Sequence, residues 1–201
     1  MKAHHILFIL FISAVGTVRA DSIMPPRPLV FTNDYGSDVF FTMTPALRDD
    51  DYNLIRKPYG VAYKVDSSGK LNELYKTEGW YSFKIFISYD GQYLVRMGPW
   101  NTGSQPEDDH LAVAFYQNGK LLKEYSTLDL VKDTSKVIPT VSHYFWMAPD
   151  PTDRGISEAE RHKFRLSLGL RNRFVIYTID GWRYLFDITT GDIISESKTK
   201  G

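Results

Sequence analysis

The sequence predicts an all-β fold of antiparallel, repeated hairpins, and two observations carry that expectation. Apolar residues recur at every second position in short runs, which is the side-chain period of a strand and not of a helix. Turn signals separate the runs: Asp66-Ser67-Ser68-Gly69, Asp90-Gly91, Asn118-Gly119, Asp180-Gly181 and Thr189-Thr190-Gly191. Asn-Gly and Asp-Gly accept the positive φ values whose twist matches a hairpin, so each is expected to join neighbouring strands.

Taken in order, residues 1–20 read as a secretory signal peptide. Lys2 supplies the basic start, residues 6–15 a short apolar core, and Val18 and Ala20 the small residues before a cleavage site. Residues 21–28 form an extended lead-in, because Pro25, Pro26 and Pro28 oppose a helix. Residues 29–196 are expected to form a single all-β domain, and residues 197–201 a disordered tail. Within the domain, Val39, Phe41 and Met43 share one face, as do Phe83, Ile85 and Ile87. The same alternation returns at Tyr93, Val95 and Met97 and at Leu111, Val113 and Phe115. It closes with Phe164, Leu166 and Leu168, then Trp182, Tyr184 and Phe186.

At most two short helices are expected. Ser126 with Asp129 has the form of a capping box opening one turn through Val131, and Ser157 with Glu160 caps a second ending near His162. The breaker-rich stretch 149–155 reads as a loop.

Two hairpin motifs alternate along the chain. One is Ser88-Tyr89-Asp90-Gly91-Gln92-Tyr93-Leu94-Val95, echoed around Asn33 to Phe40. The other is Phe115-Tyr116-Gln117-Asn118-Gly119-Lys120-Leu121-Leu122, echoed from Tyr63 to Leu71 and from Phe186 to Ile193. Together they resemble the repeats of bacterial β-propeller proteins of the WD-repeat-like and YVTN type, although no Trp-Asp repeat ending is present. The resemblance implies a propeller-like arrangement, with a β-sandwich as the alternative closure, and implies no activity. The chain also resembles exported bacterial proteins built this way, which implies no known activity.

Charge and composition exclude several classes. Lys and Arg number 24 against 24 Asp and Glu, and loss of Lys2 and Arg19 with the signal leaves 22 against 24. A nucleic-acid partner needs a clustered basic excess, which this scatter does not supply. With no cysteine at all, the chain has no disulfide, no thiolate metal site and no catalytic thiol. A mature chain of about 180 residues must then be held by packing alone, in the periplasm or outside the cell. No later apolar run is long enough for a membrane helix, so no membrane insertion is expected after signal removal.

Site chemistry is sparse. His110, His143 and His162 lie in separate segments, and His143 alternates with Val141, Phe145 and Met147 as a hydrogen-bonded core histidine would. Asp49-Asp50-Asp51 and Glu107-Asp108-Asp109 lack the spaced ligands of a calcium loop and read as solvated turns, as does the sparser pair Asp150 and Asp153. No catalytic residue, metal site or cofactor is therefore assigned, and neither a nucleophile elbow nor a phosphate loop is present. Aromatic residues remain: Trp80-Tyr81, Trp100, the run from Tyr144 to Trp146, and Trp182. Trp100 follows a Gly-Pro break and enters a polar segment, which makes it the candidate binding residue. The expected role is a non-catalytic binding or scaffold module for a protein or glycan partner. The alternative is a glycan hydrolase using paired carboxylates among Asp38, Glu78, Asp90 and Asp180.

Overall fold

The structure is a computed structural model that describes residues 24–33, 36–148, 168–169 and 172–199. Among the sequence expectations, the signal segment, the loop at 149–155, the helix at 157–162 and strand residues Phe164 and Leu166 lie outside these residues.

The described chain folds as three four-stranded antiparallel sheets, each running up and down in chain order. The first holds β1 (Leu29–Thr32) and β2 (Val39–Thr44). A small ribbon of β3 (Leu47–Arg48) and β4 (Leu54–Arg56) follows, and the sheet is completed by β5 (Tyr59–Val65) and β6 (Leu71–Glu78). The second holds β7 (Ile85–Ile87), β8 (Tyr93–Met97), β9 (Leu111–Gln117) and β10 (Lys120–Ser126). Next come a one-turn helix α1 (Thr127–Leu130), a 3-10 turn (Thr134–Lys136) and the ribbon of β11 (Ile138–Pro139) and β12 (Tyr144–Phe145). The third sheet is β13 (Leu168–Gly169), β14 (Arg173–Tyr177), β15 (Trp182–Asp187) and β16 (Ile193–Lys198).

Period 2 explains how the sheets stack. On β8, Leu94 and Val95 point to opposite faces, as do Tyr116 and Phe115 on β9. Leu94, Ala114 and Tyr116 meet Val39, Phe41 and Met43 of the first sheet. Val95, Val113 and Phe115 meet Phe174, Ile176, Tyr184 and Phe186 of the third. The second sheet is thus covered on both faces, and the near-continuous apolar run on β9 is the sequence signature of that double burial.

The two hairpin motifs occupy equivalent places. The connection from Thr32 to Val39 and residues 88–92 join the first and second strands of sheets one and two, while 66–70, 118–119 and 188–192 join the third and fourth strands of all three. Each third-to-fourth pairing also slips by one residue, leaving Leu74, Leu122 and Ile194 as the extra residue of a bulge. Gly119 (φ +78°) and Gly191 (φ +79°) set their hairpins against the fourth strand of the preceding sheet. A Cβ at Gly191 would meet Lys123 Cβ at 2.7 Å, so both the conformation and the close approach require glycine.

Two local expectations are met and one is altered. Ser126 and Asp129 form both hydrogen bonds of the capping box at α1. Asp180-Gly181 closes the β14–β15 turn, where Asp180 also accepts from the backbone N–H groups of Lys132 and Asp133 at 2.9 and 3.0 Å. Strand pairing, however, continues into the expected tail: Ser197 pairs with Arg183 and Lys198 with Trp182.

Candidate functional site

In an up-and-down sheet the tight hairpins joining strands one and two, and strands three and four, lie at one end. The connections between strands two and three lie at the other, together with the crossings from sheet to sheet. Here that second end carries the irregular chain, and loops held on a rigid sheet are where binding residues concentrate. Residues 83–84, 97–101, 112, 138, 143–148 and 179 line a cleft of about 630 Å³ there.

Backbone contacts hold its walls. Gly98 N donates to Ala112 O at 2.8 Å and Gly103 N to Ser142 O at 3.2 Å, so the loop after β8 is pinned at both ends. Thr102 forms a bridge to His143, which brings Trp100 onto the β11–β12 ribbon. On the far side, Ile179 N donates to Trp146 O and Ala148 N to Tyr177 O, tying the ribbon to the third sheet.

Trp100 stacks on the His143 ring with centroids 4.2 Å apart and an angle of 27°. Phe145 stands edge-on to both, at 6.5 Å from Trp100 and 5.0 Å from His143. His143 itself is buried, 1% exposed, with Nδ1 2.9 Å from the Thr140 hydroxyl. Trp100 is 44% exposed and Phe145 45%, so two aromatic surfaces at a steep angle face outward over a buried base. Ile138, paired with Phe145 across the ribbon, extends the apolar wall.

Trp100 is exposed, as the Gly-Pro break before it implies, but its neighbours differ from expectation. Phe145 was expected on the same core face as His143, yet only His143 is buried, because the ribbon is two residues long and not part of a full sheet. Pro139 inside an apolar stretch was the signal that could have marked this segment as an exposed edge. The other tryptophans serve packing: Trp80 lies between Phe41 and Tyr116 with the Arg96 guanidinium 4.7 Å from its ring, and Trp182 packs on the core beneath the Lys132 ammonium.

Two polar side chains of the cleft, Asn101 and Tyr144, are engaged within the chain. Asn101 Nδ2 donates to Leu111 O at 3.3 Å and lies 3.4 Å from the Tyr144 hydroxyl and 3.5 Å from Thr127 Oγ1. Burial pushes the Tyr144 hydroxyl pKa up, its hydrogen bonds with Thr127 and Asn101 oppose the rise, and the charges of Glu107 and Asp109 add to it. That hydroxyl also lies 2.9 Å from His110 Nδ1.

Glu107, Asp109 and His110 place ligand-type atoms within 4.8 Å of one another. Glu107 N–H donates to His110 Nδ1 at 3.1 Å, so this ring nitrogen already serves the loop's own turn. Asp49 instead organises the β3–β4 turn, accepting from the backbone N–H groups of Asp51 and Asn53. Both runs behave as turns. His162, Asp150 and Asp153 lie outside the described residues.

None of the four carboxylates weighed for hydrolysis lines the cleft. Asp38 pairs with Lys64, Glu78 with Lys76, and Asp90 and Asp180 hold turns. The described carboxylates with displaced acidity, Asp49, Asp66, Glu78, Asp133, Asp187 and Asp192, are all held below the usual range. A general acid at neutral pH needs the opposite displacement.

Against known proteins, no family model matches the chain, and no curated protein matches it. Among solved structures, the chain is similar to Sqt1 of Saccharomyces cerevisiae, at 13% identity and a TM-score of 0.40. The likeness covers 86% of this chain and 38% of Sqt1, so the chain spans well under half the length of that protein.

Proposed function

We propose that this chain is a non-catalytic binding module that docks an apolar segment of a protein partner in the Trp100 cleft. The carrying observation is that Trp100 and Phe145 present aromatic surface outward while the Asn101 amide, the Tyr144 hydroxyl and His143 Nδ1 are hydrogen-bonded inside the chain. Aromatic anchors of this kind dominate protein interfaces. A sugar ring stacked on Trp100 would also need polar partners for its hydroxyls, and a protein side chain would not. The reading therefore favours a protein over a glycan.

The module is proposed to work outside the cytoplasm after removal of residues 1–20. Its support is the signal pattern together with a cysteine-free core built from packing.

The test is selection of a random-peptide display library on the purified chain, with a neutral glycan array in parallel, each repeated on Trp100→Ala. Enriched peptides that lose binding to Trp100→Ala, with an unchanged unfolding midpoint, are the expected result. Trp100-dependent glycan binding without peptide enrichment would replace the protein reading. For export, N-terminal sequencing of the mature protein should begin near Asp21.

A further inference from the structure

The acidic run Glu107-Asp108-Asp109 borders the cleft. It belongs to the loop that carries Trp100, and the adjoining His110 touches the hydroxyl of Tyr144, a cleft-lining residue. The charges of Glu107 and Asp109 reach that hydroxyl. Among the described residues none of the three carboxylates is in an ion pair. Three adjacent like charges repel one another, and the repulsion strengthens when a docked apolar surface displaces water beside them. Lys84, the cation lining the cleft, is engaged within the chain. Among the described residues no cation pairs with the run, and a basic group of a partner would supply the complement.

We propose that the occupant of the cleft is a protein segment that sets an aliphatic or aromatic anchor on Trp100 and Phe145 and places a Lys or Arg within a few residues, against Glu107-Asp108-Asp109. This rests on the binding-module reading and adds the sign of the partner's charge. The apolar anchor supplies most of the affinity, and the acidic run selects basic flanks and speeds encounter. The contribution of the acidic run is sensitive to salt, because these side chains are at the surface.

The experiment uses peptides enriched on the chain from the random library and counter-selected on Trp100→Ala. The expected set carries Lys or Arg close to a Leu, Ile, Phe or Trp. Replacing those basic residues by Gln should weaken binding about tenfold in low salt, which is about 1.4 kcal/mol. The triple variant E107Q/D108N/D109N should lose the same factor and most of the salt dependence, with E107Q/D108N as a milder second variant that leaves Asp109 in place. Peptides that need Trp100 but show no basic bias, and bind the triple variant as tightly as the native chain, overturn this inference and leave the binding module standing. If no peptide depends on Trp100, the binding-module reading itself fails, and this inference with it.

Discussion

Gly98→Ala tests whether the cleft is positioned by the sheet or merely adjoins it. A methyl group built at Gly98 would lie 1.8 Å from the Leu111 carbonyl oxygen and 2.6 Å from its carbon. Both atoms are backbone, so no side chain can rotate away. Relief requires the chain at Gly98 to withdraw from β9 by about 1.5 Å, which breaks the 2.8 Å hydrogen bond from Gly98 N to Ala112 O. Overpacking of this kind costs about 1–3 kcal/mol and the lost hydrogen bond about 1 kcal/mol. Together, about 2–4 kcal/mol is a large share of the roughly 5–15 kcal/mol that stabilises a domain. Because Trp100 lies two residues on, the same shift should loosen its stacking on His143. Denaturant unfolding gives the stability, and acrylamide quenching of tryptophan fluorescence gives the exposure. A Gly98→Ala chain within about 0.5 kcal/mol of the native one, with quenching unchanged, would refute the reasoning.

Gly191→Ala should cost about 2–4 kcal/mol, from positive φ and the Lys123 contact together, whereas Gly36→Ala, with open space around its Cβ, should cost about 1 kcal/mol; equal losses in thermal unfolding would count against the hairpin-on-strand packing. Ser126→Ala removes one half of the capping box and should lower stability by about 1 kcal/mol in the same assay, with no loss meaning that α1 is held by Leu130 alone. Tyr184 donates to Leu130 O at 2.7 Å, and burial pushes its hydroxyl from the ordinary value near 10 up to about 12. The folded chain therefore holds this proton more tightly than the unfolded chain, and the stabilisation is intact below pH 10 and lost as pH rises toward 12. Tyr184→Phe should show a shallower alkaline fall in unfolding free energy across that window than the native chain, and an equal slope would reject the assignment.

What could be read from the sequence divides along a physical line. Hairpins were legible because a turn is a local object: Asp90-Gly91 and Asn118-Gly119 state their own conformation, and both motifs fall at equivalent positions of successive sheets. The alternation at Val39, Phe41 and Met43 was legible for the same reason, since one buried face imposes period 2. The double burial of β9 was harder, because Leu111 to Tyr116 is apolar throughout and periodicity cannot say which neighbour covers which face. The site was half legible. Trp100 could be singled out by the Gly-Pro break before it, but its stacking on His143 depends on the Thr102–His143 bridge, a contact across 41 positions that no local pattern encodes. Phe145 was misplaced because a two-residue strand has too few positions to show a period.

The distribution of polarity over the stack bears on the proposal that a partner docks in the cleft. The inner faces that meet at the second sheet are apolar, whereas the outer face of the first sheet is mixed, with Thr32, Thr42, Thr44 and the Lys76–Glu78 pair beside Val30, Phe40, Val61 and Tyr63. The outer face of the third sets Arg183 and the cross-strand pair of Arg173 with Asp187 beside Val175 and Leu185. Covering either face with a second molecule would desolvate its charged groups along with its apolar ones. At the connection end the balance reverses. Trp100 and Phe145 expose ring surface whose removal from water is favourable, and the acids beside them are not neutralised within the described chain. Burial there gains apolar area and can gain a charge pair in one step, which is the combination that gives an interface both affinity and a preferred partner.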